Sequence, residues 1–316
     1  MHKRFVNHCT IDITLIPDGP ILIKSGKEGA DPTKPDMEFV ETYHAGGRSI
    51  YLPGSSLKGA IRAHAERIVR TVGRDKRDAN HLDTLWANDP LNDKYDYLQN
   101  KSASDIYKLS CFTDQMFGNT SIASRVRIED AYPNKSQPLK IEERNGVAID
   151  RVFGSVAVGP FNYQVCTAGE FRTKIHLKNF TLAQLGLIGL VLRDLDDSWF
   201  GLGFAKSRGL GTVEVKLNQA VVQYPGCILS EDKQQICAIS SEKKWSKTFL
   251  LGAGEFLEPQ EAQLYNFPTQ DHQDTPAAAQ EMDLGFGVQL TWRSGTVHDL
   301  FERSVKSWSR LLMGAK

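Results

Sequence analysis

The chain has 316 residues, which fits one large domain or a domain with sizeable additions. Its 41% hydrophobic and 24% charged residues fit a soluble globular protein. Basic and acidic residues number 38 each, so the formal net charge is +0; this excludes a global field that draws the chain onto nucleic acid, and any such binding must come from local patches.

In chain order, Phe5–Leu15 reads as a strand with Val6, Ile11, Ile13 and Leu15 among polar residues. Pro17-Asp18-Gly19-Pro20 turns the chain, and Ile21–Ile23 is a short apolar run. Ser25–Gly47, rich in Gly, Pro, Lys and Asp, reads as a long loop of the kind that is usually functional or disordered. A strand at Ser49–Leu52 follows, then a helix from Ser55 to about Val72. Leu57, Ile61, His64 and Ile68 form its core stripe. Ser55 or Ser56 is the expected N-cap. Lys58, Arg62 and Arg70 lie off the stripe and are expected to stay available. Free N–H groups, the positive end of the helix dipole and nearby cations suit an RNA or nucleotide phosphate. The plain alternative is an amphipathic helix with solvated basic residues. Ser55-x-x-Lys58 also matches a β-lactamase nucleophile motif. Its companion Lys24-Ser25-Gly26 precedes it instead of following it, and no Ser-Asp-Asn is present, so that reading is set aside.

Gly73–Ser110 is polar and charged and reads as an insertion with short helices, closed by Met116-Phe117-Gly118-Asn119. Arg125–Asp130 alternates as a strand. Val147–Cys166, with Gly154 and Gly159-Pro160, suggests a hairpin, and Thr167–Leu177 another strand. Thr181-x-x-Gln184 is a capping box opening a helix to about Leu195, apolar nearly all round and so deeply buried. Gly201–Gly211 has neither the dinucleotide nor the Walker A spacing. It offers a backbone that permits close approach, with Lys206 and Arg208 beside it. Thr212–Leu217 is a strand. Beyond Pro225 come a polar stretch (Glu255–Asp283), a strand candidate (Leu284–Trp292) and an amphipathic helix candidate (Val297–Met313), read together as an extension or partner-docking surface. The order predicts an α+β fold, with helices on one face of a mostly antiparallel sheet, of ferredoxin-like or RRM type. The expected division is a domain over 1–224, with an insertion at about 73–115 and a hairpin at about 147–166, and an extension over 225–316.

Five cysteines (Cys9, Cys111, Cys166, Cys227 and Cys237) are widely spaced with no C-x-x-C pair, which argues for a reducing compartment and gives zinc no support. The N-terminus lacks the apolar core of a signal peptide, and the run Leu182 to Leu192 is too short for a bilayer. The expectation is a cytoplasmic chain without membrane contact. His64 falls on a core stripe, His44 in the long loop where it could lie near RNA, and nothing pairs His8, His44 and His64 at a spacing useful for acid–base catalysis.

Leu52-Pro53-Gly54-Ser55-Ser56-Leu57-Lys58-Gly59 and the segment Gly201–Gly211 together resemble the RAMP superfamily of CRISPR-associated proteins. Met116-Phe117-Gly118, Glu129-Asp130-Ala131-Tyr132 and Gly146-Val147-Ala148-Ile149-Asp150-Arg151 fall between them in the matching order. The resemblance spans about residues 5–217 and is nearest to the repeated backbone subunit of type III effector complexes, especially subtype D. It implies a modified RRM palm with a β-hairpin thumb. It further implies polymerisation along a CRISPR RNA with other RAMP and large-subunit proteins, and cleavage of guide-complementary single-stranded target RNA. By the same resemblance Ser55, Ser56, Lys58 and Arg62 hold guide phosphates, and Gly203, Lys206, Arg208 and Gly209 line the same path. Arg151 and Phe153 lie near the working surface of the thumb. The family's catalytic aspartate precedes the Pro-Gly-Ser-Ser motif, where Asp36 has the closer spacing and Asp31 is the alternative. That carboxylate would hold Mg2+ or another divalent cation and orient a 2′-OH, giving a 2′,3′-cyclic phosphate and a 5′-OH. A non-catalytic RNA-binding scaffold is the alternative function.

Overall fold

The computed structural model describes residues 4–26, 35–44, 47–77, 85–91 and 94–313. β1 (His8–Pro17) is followed by a small hairpin of β2 (Glu41–His44) and β3 (Gly47–Ile50), then by α1 (Gly54–Val72). Short helices α2 (Ala103–Leu109) and α3 (Phe112–Phe117) precede β4 (Val126–Ile128) and β5 (Tyr132–Pro133). A long hairpin of β6 (Lys140–Ile149) and β7 (Val156–Ala168) leads into β8 (Phe171–Lys178), α4 (Leu182–Asp196) and β9 (Val213–Tyr224). The remaining chain supplies β10 (Cys227–Leu229), β11 (Gln235–Ala238), β12 (Lys244–Ser246), β13 (Phe249–Leu251), α5 (Pro259–Tyr265) and β14 (His272–Asp274). It ends with β15 (Gln280–Glu281), β16 (Val288–Arg293), α6 (Val297–Lys306) and α7 (Trp308–Met313).

The main sheet runs β15-β16-β9-β1-β8-β4, with β5 also on β8. Its pairings are antiparallel. Within it, the order β9-β1-β8-β4, with α1 after β1 and α4 after β8, is the ferredoxin-like arrangement. Period-two alternation creates its buried face. Cys9, Ile11, Ile13 and Leu15 of β1 and Phe171, Ile175 and Leu177 of β8 are at most 2% exposed. The α4 capping box forms as expected: Gln184 N–H donates to Thr181 Oγ1 at 3.3 Å and Thr181 N–H to Gln184 Oε1 at 3.1 Å. α4 is apolar all round because it has the sheet on one side and α6 on the other. Gly189 allows the close approach: a Cβ there would lie 2.5 Å from a Phe301 ring carbon.

The expected boundary at residue 225 is not a structural one. β16 pairs with β9 from Val288↔Tyr224 to Arg293↔Gln219, burying Val288, Leu290 and Trp292. The reason is that β9 would otherwise be an open sheet edge and α4 would expose an apolar face to water. The long hairpin also starts earlier than expected, at Lys140 and not near Val147, and ends at Ala168. Gly159-Pro160 lies inside β7, whereas the turn spans 150–155, where Asp150 Oδ1 accepts N–H bonds from Val152 and Phe153, each at 2.8 Å. Periodicity could not reveal β6 because most of its length is exposed or half-buried and carries no apolar stripe.

Candidate nucleic-acid interface

β1 and β4 run in one direction and β8 and β9 in the other, so the ferredoxin-like topology puts the start of α1 and the loop entering β9 at the same end of the sheet. The base of the long hairpin is at that end too. Ile21 bridges to Cys166 on β7, Gly211 N–H donates to Pro20 O at 2.9 Å, and Phe204 N–H donates to Leu22 O at 2.7 Å. Three segments far apart in sequence are thereby knitted together.

The start of α1 differs from the expectation in two ways. The helix begins at Gly54, after Pro53, with no side-chain cap of its own. Asp130 takes that role, accepting the Gly54 N–H on Oδ1 at 2.7 Å, so neither Ser55 nor Ser56 is the cap. Ser55 is exposed and Ser56 half-buried. Arg62 is not available: it donates to Glu66 at 2.8 Å, to Gly118 O at 2.8 Å and to the buried Asp114 at 2.7 Å. It is a packing residue joining α1 to α3. Arg70 is likewise engaged, with Asn88 O and Glu66. Lys58 does stay open to a ligand. Its Nζ donates to Ser124 Oγ at 2.8 Å and makes no ion pair among the described residues. Burial, and then Arg62, lower its pKa.

Lys58 and Ser55 border an open groove of about 630 Å3 that runs over the β4 edge past Arg127, His176, Lys178 and His8. Arg127, His176 and Lys178 were missed in the sequence, and His8 was weighed there only for acid–base chemistry. The signal was present, since every second residue of β8 is basic (Arg172, Lys174, His176, Lys178) and points away from the core. Arg172 is paired with Asp12 at 2.8 Å and Arg127 with Glu129 at 3.1 Å. The His8 and His176 rings stack at 5.5 Å, and His176 Nε2 lies 2.8 Å from Glu129 Oε1. The fold thus pairs two histidines that spacing did not connect. Burial first, and then His176, push the His8 pKa below its ordinary value.

In the glycine-rich loop, Gly203 has φ +79°, and a Cβ on it would lie 2.2 Å from Leu22 O. Its close approach is to the protein's own backbone. Gly209, at φ +82°, has open surroundings. Lys206 and Arg208 are exposed, and the Arg208 guanidinium sits 5.2 Å from the Phe204 ring centre. Arg151 and Phe153 lie at the turn of the long hairpin, with Phe153 84% exposed.

Asp36 is exposed beside the middle of that hairpin, where Asn162 pairs with Asn145. Its Oδ2 accepts the Asn162 N–H at 2.8 Å, while Met37 N–H donates to Asn162 O at 3.1 Å and Gln164 N–H to Met37 O at 3.0 Å. Asp31 lies outside the described residues.

A model of the RAMP superfamily matches residues 14–214, well over half of the chain. The chain belongs to the RAMP superfamily. This makes it a CRISPR-associated protein, and the matched span takes in α1, the long hairpin and the glycine-rich loop. No curated protein matches it.

In this RAMP protein, His64 is a core residue as expected, with Nε2 2.7 Å from buried Asp194 and its ring stacked on Phe200. The cysteines are free, and burial pushes Cys111 up to about 12 and Cys166 up to about 11, which keeps both thiols protonated and unreactive. Among the described residues no three His, Cys, Asp or Glu gather to hold a metal ion. The donor set at Asp36 is one exposed carboxylate with one oxygen already bonded to Asn162. It fits a hard divalent cation shared with RNA oxygens and water, not a cage built from protein alone. No described helix is long and apolar enough to cross a membrane.

Proposed function

We propose that this RAMP protein is an RNA-binding backbone subunit of a type III effector complex of subtype D kind. In this reading it holds a CRISPR RNA beside other RAMP and large-subunit proteins and cleaves target single-stranded RNA paired to that guide. The observation that carries the reading is the bond from Asn162 to Asp36. It fastens a candidate reactive carboxylate to the middle of the hairpin, whose base lies at the end of the sheet where α1 starts and the glycine-rich loop packs.

The grip is on the RNA backbone. N–H groups of Ser55 and Ser56 at the start of α1, with Lys58, receive one guide phosphate. Lys178 and Arg127 continue the path along the groove, and Lys206, Arg208 and the open backbone at Gly209 serve it from the glycine-rich loop. Such contacts bind any sequence and leave base pairing to select the target. Arg62 and Gly203 are left out, since their contacts are internal. Phe153 and Arg151 on the thumb turn face solvent, which supports a role in pressing against a guide–target duplex.

At Asp36, Oδ2 is held by Asn162, which leaves Oδ1 to accept the proton of a target 2′-OH as that oxygen attacks the adjacent phosphate. The bond from phosphorus to the 5′-oxygen breaks and that oxygen takes a proton from water, giving a 2′,3′-cyclic phosphate and a 5′-OH. A divalent cation such as Mg2+, held by Asp36 and RNA oxygens, would neutralise charge on the scissile phosphate.

The RNA grip is tested by loading a labelled single-stranded RNA onto the full chain and onto Lys58→Ala and Arg208→Ala. Weaker loading by both, with unchanged unfolding curves, supports the proposed path; unchanged loading by both removes it.

A further inference from the structure

Beside the β2–β3 hairpin lies an aromatic ladder that no core packing explains, made of exposed His44 on β2 with the half-buried Tyr132 on β5 and Tyr51 just after β3. The His44 ring lies on the Tyr132 ring at 3.7 Å and 8°, and the Tyr51 ring is 5.9 Å from Tyr132 at 16°. His44 is exposed, and none of the three rings belongs to the hydrophobic core. Beside the ladder is an open pocket of about 350 Å3 lined by Thr42, Arg48, Asn134 and Lys135 among others, with no carboxylate in its lining. Arg48 is itself paired with Glu41.

The ladder is wired to the start of α1 through one carboxylate. The Tyr132 hydroxyl donates to Asp130 Oδ2 at 3.3 Å, and Asp130 Oδ1 accepts the Gly54 N–H at 2.7 Å. A flat, polarisable surface and a phosphate-binding helix start are thus fixed relative to each other by two hydrogen bonds. Base stacking on aromatic faces tolerates any sequence, because every base presents a π face.

We infer that His44, Tyr132 and Tyr51 form a stacking platform for one unpaired RNA base whose phosphate sits at the start of α1. His44 is the outermost ring and takes the base. Tyr132 supports it from beneath, and Asp130 sets the position of Tyr132. This inference rests on the RNA-binding reading above and adds to it a contact with a base.

The test is an anisotropy titration of the full chain at fixed low salt with two labelled oligomers of equal length: a mixed-sequence single-stranded RNA and its abasic counterpart. His44→Ala is expected to weaken RNA binding about 5- to 100-fold while leaving the abasic oligomer unchanged, with His44→Phe restoring the RNA affinity. Equal losses on both oligomers, or unchanged RNA affinity for His44→Ala, overturn the platform while leaving the backbone grip intact. A wild-type chain that binds the abasic oligomer as tightly as RNA does the same. A wild-type chain that binds neither oligomer overturns the RNA-binding reading and the platform together.

Discussion

The Asn162 N–H donates to the Asp36 carboxylate at 2.8 Å across 126 residues of sequence. The loop before α1 and the strand leaving the long hairpin therefore share one position. Met37 reinforces it through its backbone bonds to Asn162 and Gln164. The relationship gives the carboxylate a defined place without burying it, which an exposed group that must meet RNA requires.

Two basic residues of α1, four positions apart, are expected to behave oppositely. Lys58→Ala should weaken RNA binding uniformly across sequences and reduce the slope of log affinity against log salt by about 0.7, the value for one single-strand phosphate. Arg62→Ala should instead destabilise the fold by roughly 3 kcal/mol, because it leaves the buried Asp114 without its cation. Denaturant unfolding and salt-dependent titration of both variants separate these outcomes.

The glycine-rich loop makes a comparable pair. Gly209→Ala should cost about 1–2 kcal/mol for its left-handed backbone alone. Gly203→Ala has the same strain and adds a Cβ that would sit 2.2 Å from Leu22 O, so its cost should be clearly larger. Thermal melts check this ordering. A Gly203→Ala variant as stable as wild type would show that the loop does not pack there.

The C-terminal segment should prove inseparable from the rest. Removing Gly226–Lys316 would strip β16 from β9 and α6 from α4, exposing buried apolar surface. The expected product is aggregated or unfolded chain in size-exclusion chromatography and circular dichroism. Gly189→Val, which drives a side chain into Phe301, should lower stability by about 1–3 kcal/mol in the full chain.

Much of this was legible in the sequence, and the losses have physical causes. β1, α1, α4 and β9 were visible because one face of each strand, or a stripe or the whole of each helix, is apolar. Lys58 was legible as a cation lying off such a stripe. Arg62, on the same helix, was misread because its partners Asp114 and Gly118 come from another element, which local periodicity cannot show. His8 and His176 meet only through the pairing of β1 with β8. β16 read as part of a tail because strand partners are not written in spacing. The capping of α1 by Asp130, 76 residues away, was hidden for the same reason.

The groove should also respond to pH. His8 has a lowered pKa, so between its ordinary 6.5 and its lower native value the unfolded chain binds more protons than the folded one. Its contribution to stability is therefore lost as pH falls below about 6.5. RNA phosphate favours the charged ring, so RNA affinity should rise over the same interval as binding takes up a proton. His8→Gln should flatten both trends, measured by unfolding and by RNA titration between pH 5 and 7.5.

The central claim is tested most directly by cutting. An end-labelled RNA complementary to the guide is incubated with the assembled complex, in Mg2+ and in EDTA, with wild type and with Asp36→Ala. The account predicts a metal-dependent product ending in a 2′,3′-cyclic phosphate that Asp36→Ala abolishes, with target binding and complex assembly retained. An unchanged set of products from Asp36→Ala would contradict it and leave the protein an RNA-binding scaffold. Loss of assembly in that variant would make the Asp36 loop structural and remove the basis for assigning cleavage to it.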